Sequence, residues 1–130
     1  MNEMSYYENI SLLAYSPLAG GLLTGKYLNN EMPTDSRITR VSTIGDRVNK
    51  NAMKAVQEYM KISKKFNIHP VHLALAFCTK RPFMGSVIFG ATTDEQLDVV
   101  IKGCLLYTST LPATYGVVLW GGGGWGWGGG

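Results

Sequence analysis

Leu13-Ala-Tyr-Ser-Pro-Leu-Ala-Gly-Gly-Leu-Leu-Thr-Gly-Lys-Tyr27 decides the reading of this chain. Residues 10–15 read as a short buried strand, which runs into a Ser16-Pro17-Leu18 turn and a Gly-rich loop ending on Lys26. In a parallel α/β protein the loop at the carboxyl end of a strand is where ligands bind. Gly20, Gly21 and Gly25 let backbone come close to a ligand, and Lys26 sets a cation at the rim. The order suits a phosphorylated cofactor. It lacks the spacing of a P-loop, so the loop alone does not define a nucleotide site.

Outward from this stretch, residues 27–46 are polar and carry Asn29, Asn30, Pro33 and Gly45, which reads as a long excursion loop of the kind that is often functional. A helix is expected over residues 51–66, because Ala52, Val56, Tyr59, Ile62 and Phe66 recur at three- and four-residue steps. Asn67 suits a left-handed terminator. Pro70 then fits the first turn of a second helix over residues 70–80, where its missing N–H costs nothing. Val71, Leu73, Ala74, Ala76 and Phe77 make that helix apolar over most of its girth, so it should be buried, and Pro82 closes it. Residues 86–89 read as a second apolar strand, followed by a Gly90 turn and a third helix to about residue 102. The plan is two parallel βα units. Two parallel strands cannot cover both faces of a sheet, so the chain reads as a piece of a larger α/β sheet or barrel.

At 130 residues the chain is shorter than a whole (β/α)8 barrel, which typically needs about 250 residues. Its 45% hydrophobic and 16% charged content fits a globular protein. The net charge of +3 is mild. Lys61, Lys64 and Lys65 crowd one helix end, where cations suit the dipole, and no aromatic interleaving or second basic stripe turns them into a nucleic-acid surface. Cys78 and Cys104 form no C-x-x-C pair, and Cys78 reads as a buried free thiol, which suits a reducing, cytoplasmic setting. Met1-Asn-Glu-Met4 shows no secretory pattern, and no apolar run approaches the roughly 20 residues of a membrane span, so no membrane partner is expected. His69 and His72 stand three apart without an acidic or Cys partner at matching spacing. Cap and surface roles suit them better than metal ligation, and no metal is expected.

Beyond residue 103 the character changes. Residues 105–120 show neither helical nor alternating periodicity, and residues 121–130 contain only Gly and Trp. Residues 1–103 are therefore read as the folded part. Residues 104–130 are read as a low-complexity, disordered and non-native tail, since Gly and Trp codons are both rich in guanine. An adhesive Trp-bearing tail is the competing reading.

Tyr15-Ser-Pro-Leu-Ala-Gly-Gly-Leu-Leu-Thr-Gly-Lys-Tyr27 and Val87-Ile-Phe-Gly-Ala-Thr-Thr-Asp-Glu-Gln-Leu97 together resemble the aldo-keto reductase superfamily, in the branch of bacterial aldo-keto reductases and potassium-channel β-subunits. Leu73-Ala-Leu-Ala-Phe77 and Arg81-Pro-Phe83 fit as well, and the resemblance covers about residues 8–103. It implies an α/β, partial (β/α)8 TIM barrel that supplies the last two βα units and holds NADP(H) at the carboxyl ends of the strands. It implies that Tyr15, Ser16, Pro17 and Leu18 line the nicotinamide and pyrophosphate, with Gly20 beside them. Lys26 and Arg37 match the basic positions around the phosphates. Gly90, Thr92 and Gln96 match a second phosphate-binding turn near the adenosine 2′-phosphate. A Gly turn opening a helix offers unpaired N–H groups and a positive dipole end to an anion. Thr93 and Gln96 also form a Ser/Thr-x-x-Glu/Gln capping box, so closing its own helix and touching phosphate stay open alternatives for Gln96. Ser16-Pro17 as a plain turn, and Lys26 and Arg37 as surface charges, stay open likewise.

The departures bear on function. The family's Glu-Asn pair that holds the adenine is replaced by Val99 and Val100, and its Asp-Tyr-Lys-His catalytic set has no counterpart here. Tyr15 falls at the cofactor face and has no Lys–His neighbours to tune it as an acid. The resemblance therefore implies an NADP(H)-binding oxidoreductase fragment, inactive alone. Its full-length parent would reduce a small-molecule aldehyde or ketone. A non-catalytic nucleotide binder or accessory-subunit-like protein, and a non-functional truncated product, are the alternatives. Nothing in the sequence sets an oligomeric state.

Overall fold

The computed structural model describes residues 2–31, 33–34, 36–41, 48–108 and 116–119. Its frame is a parallel sheet in the order β1-β2-β3, with β1 Leu12–Tyr15, β2 Met84–Phe89 and β3 Gly116–Leu119. Leu13 pairs with Ser86 and Tyr15 with Ile88, while Phe89 pairs with Leu119 on the other side. The fold is α/β with parallel strands, as the alternation of apolar runs and helical stripes implies.

Helices α3 (Lys50–Lys65) and α4 (Pro70–Thr79) lie between β1 and β2, and α5 (Asp94–Thr108) follows β2. The sequence explains their ends. The Asn49 side chain accepts from the Ala52 N–H at 2.9 Å and opens α3. Asn67, at φ 50, closes it: the Ile68 N–H reaches the Ser63 carbonyl and the Asn67 N–H reaches that of Lys64, which is a Schellman motif. The buried Ser63 hydroxyl is satisfied by the Ile68 carbonyl at 2.5 Å. Pro70 takes the first position of α4, and its carbonyl accepts from Tyr59 Oη at 2.5 Å, which ties α3 to α4. The main core joins Val71 and Leu75 of α4, Met84, Val87 and Phe89 of β2, and Val100 of α5. A second cluster of Leu22, Tyr27 and Val56 fastens the Gly-rich loop to α3.

Several expectations need correction. The first strand is not buried on both faces: Leu12 and Ala14 pack on the core, but Leu13 is 59% and Tyr15 78% exposed. Successive side chains point to opposite faces of a strand, and among the described residues only one face of β1 is covered. Phe77 of α4 is 65% exposed and carries the Arg81 guanidinium 4.0 Å over its ring, so α4 is not buried all round. The outer end of the α3 stripe, Ile62 and Phe66, is exposed as well. Residues 27–46 are not one structureless loop, since they hold a 3-10 turn at Leu28–Asn30 and a short helix, α2 (Arg37–Arg40). Helix α5 runs through residues 103 and 104 to Thr108, and β3 follows in a segment that carries no periodicity. An amino-terminal helix, α1 (Asn2–Glu8), also forms, and Asn9 at φ 53 ends it. The Gly/Trp run at 121–130 lies outside the described residues.

Candidate functional site

Because β1 and β2 are adjacent and parallel, the chain leaves both of them at the same end of the sheet. The two glycine-bearing corners, 16–26 and 90–96, therefore open from one sheet edge, the carboxyl end where α/β proteins place ligands.

At the first corner, Tyr15 closes β1 with its ring in solvent, and Ser16 turns the backbone at φ 58 immediately before Pro17. That left-handed conformation is costly for a residue with a side chain, above all before proline. The turn is held by the Ala19 N–H on the Ser16 carbonyl at 3.0 Å, and by the Gly21 N–H on the Leu18 carbonyl at 2.9 Å. Ala19, Gly20 and Gly21 follow in succession at φ 51, 71 and 97. Pro17 and Leu18 are half-buried, and Leu18 packs onto the main core, which anchors the loop to the sheet. Strained backbone in a fixed loop at a strand end is a pattern found at ligand sites.

Lys26 does not hang free at the rim. Its Nζ lies 5.1 Å from the centre of the Tyr27 ring. A Cβ placed on Gly21 would meet Lys26 Cε at 3.1 Å and Nζ at 3.4 Å. Gly25, at φ 82, faces Met60 of α3 in the same way. Gly21 and Gly25 thus admit the chain's own side chains, which corrects the expectation that all three glycines clear space for a ligand. Arg37 opens α2 and is exposed; the buried Ser36 caps that helix through the Thr39 N–H, and α2 packs against the Gly-rich turn.

The second corner is closed on itself. Thr93 Oγ1 accepts from the Gln96 N–H at 3.3 Å, while Gln96 Oε1 accepts from the Thr92 N–H at 3.1 Å and the Thr92 hydroxyl at 3.2 Å. Gln96 therefore acts as a cap here, one residue further back than the usual box. Asp94 and Glu95 in the first turn already neutralise the dipole, and the Thr93 hydroxyl beside Glu95 holds its carboxyl below the usual range. Gly90 and Thr92 are exposed. Val100 lies in the core and Val99 packs against it, its carbonyl accepting from His72 Nε2 at 2.8 Å.

The first corner sets a strained glycine turn beside the Lys26 ammonium. At the second corner the Thr92 N–H and hydroxyl are both taken by Gln96. His69 caps α4 by accepting from the Val71 N–H at 3.3 Å, and among the described residues no three His, Cys, Asp or Glu gather as metal ligands. Burial pushes the Cys78 and Cys104 thiols up, away from the reactive thiolate. Among the described residues no helix is long and apolar enough to cross a membrane. Tyr27 and Ser36 are contributors that periodicity does not reveal. Their only sequence signals are an aromatic next to a loop lysine and a Ser just before Arg37.

A sequence model of the Aldo/keto reductase family matches residues 1–110. The chain is 41% identical over 107 residues to Protein tas of Escherichia coli (strain K12), covering 82% of this chain and 31% of that protein. It is 41% identical over 91 residues to an "Aldo-keto reductase" of Babesia bovis, covering 68% and 32%. It is 33% identical over 98 residues to a "Probable voltage-gated potassium channel subunit beta" of Arabidopsis thaliana, covering 73% and 30%. The chain spans about a third of the length of these curated relatives. With a match over most of its residues, and with both strand-end corners inside that match, the chain belongs to the aldo/keto reductase family.

Proposed function

We propose that this chain is the carboxyl-terminal NADP(H)-binding part of a (β/α)8 oxidoreductase, and that the whole polypeptide reduces aldehydes or ketones with NADPH. The observation that carries the reading is the parallel pairing of β1 with β2, which delivers Ser16–Lys26 and Gly90–Gln96 to one end of the sheet. Tyr15, Ser16, Pro17 and Leu18 flank the nicotinamide and pyrophosphate, Gly20 and Lys26 take the diphosphate, and Arg37 takes the 2′-phosphate with its forked guanidinium. Gly90, Thr92 and Gln96 complete the grip once Gln96 lets go of Thr92. The bound nicotinamide supplies the hydride, and the protein's part is to orient it. The family's Asp-Tyr-Lys-His catalytic set has no counterpart in this sequence, so the chain is read as binding without turning over.

A nicotinamide fluorescence titration of this chain with NADPH tests the binding, and aldehyde-dependent NADPH oxidation tests turnover. Binding without oxidation is expected. Reductase activity in a pure sample would overturn the inactive-fragment assignment, and absence of binding would overturn the cofactor assignment. The similarity to a channel β-subunit supports a second reading, a nucleotide-binding accessory protein. Binding that persists when the whole polypeptide shows no turnover would favour it.

A further inference from the structure

Lys26 is an exposed residue on a four-carbon stem, yet its ammonium lies against its neighbours. Three groups meet there. The Tyr27 ring lies 5.1 Å from Nζ, within cation–π range. The bare Gly21 Cα leaves a niche whose virtual Cβ is 3.1 Å from Lys26 Cε and 3.5 Å from Tyr27 Cε2. Thr24 Oγ1 donates to the Gly21 carbonyl at 2.8 Å and accepts from the Lys26 N–H at 3.4 Å, closing the loop on the same spot. The ring cannot swing away, because Tyr27 is 2% exposed and packed with Leu22 and Val56. Its hydroxyl does not explain its place: Oη is buried with no hydrogen-bond partner among the described residues.

We propose that Tyr27 is a positioning residue: its ring face and the Gly21 niche hold the Lys26 ammonium at the carboxyl end of β1, ready for the diphosphate of a dinucleotide. The proposal rests on the cofactor reading of Lys26 above. A lysine already held loses less rotamer freedom when an anion arrives. The ring matters and the hydroxyl does not.

The full chain is studied by NMR without ligand and by NADPH titration. In the wild type the Lys26 ε-protons are expected to be shielded by the ring, to remain so in Tyr27→Phe, and to return to ordinary shifts in Tyr27→Leu. NADPH affinity is expected to stay within about twofold in Tyr27→Phe and to weaken about two- to fivefold in Tyr27→Leu. On a Lys26→Met background Tyr27→Leu should add nothing. Unshielded ε-protons in the wild type would overturn the proposal without any variant. So would a Tyr27→Leu effect that persists on the Lys26→Met background. Shielded ε-protons in a chain that does not bind NADPH would uphold the seat and sink the cofactor reading.

Discussion

Gly103 is the position where a single methyl group should report most sharply on the helix layer behind the sheet. It is buried on α5 against α4, and a Cβ there would lie 2.6 Å from His72 Cδ2, 3.2 Å from His72 Cγ and 3.2 Å from Leu75 Cδ1. Ordinary contact begins at 3.4 Å, so about 0.8 Å must be found. The imidazole cannot yield freely, because its Nε2 is bonded to the Val99 carbonyl at 2.8 Å across the same interface. Overpacking costs about 1–3 kcal/mol. Losing the His72 bond costs about 1 kcal/mol. Alanine's better helix propensity returns about 1 kcal/mol. Gly103→Ala should therefore destabilise by about 1–3 kcal/mol, read as a lower urea midpoint with an unchanged slope. His72→Ala should cost less on the Gly103→Ala background than in the wild type, because the shortened side chain vacates the clash. A Gly103→Ala chain more stable than wild type by the propensity gain alone would refute the close α4–α5 packing.

Asn49→Ala removes the cap of α3 and should cost about 1 kcal/mol in urea unfolding, with Asn49→Asp restoring most of it. Burial, with His72 nearby, holds His69 below its usual 6.5, and its Nδ1 must be unprotonated to accept from Val71. Its contribution is therefore fully present above pH 6.5 and is lost as the pH falls through the lowered folded value. The difference in urea midpoint between wild type and His69→Asn should shift against the wild type on acidification; a pH-independent difference would exclude the capping role. In a whole-length reductase carrying this segment, Arg37→Ala should weaken NADPH about tenfold while NADH changes less than about twofold, measured by fluorescence titration. Equal losses for both would remove Arg37 from the 2′-phosphate.

What could be read from the sequence was whatever local chemistry sets. Asn67 and His69-Pro70 each fix a backbone conformation within a few residues, and the apolar run at β2 marks a strand that is largely covered. The strand-to-loop order around Ser16 was legible for the same reason. Features that depend on distant packing were not legible. Nothing in residues 10–15 shows that Leu13 and Tyr15 face outward, since that depends on what covers the second face of the sheet. Helix α2 has only four residues and rests on a Ser36 cap, too short for a period. Strand β3 takes its register from the free side of β2. Three glycines in one loop look alike in sequence, yet Gly21 and Gly25 prove to be filled by Lys26 and Met60. Gln96 likewise looked equally suited to phosphate and cap until its contacts with Thr92 were seen.

Mapping backbone amide shifts of the full chain during an NADPH titration probes both corners at once. Resonances from Ser16 to Lys26 and from Gly90 to Gln96 should move together, with one common dissociation constant. Movement of one corner alone, or of neither at millimolar NADPH, would show that the two strand ends do not share a dinucleotide.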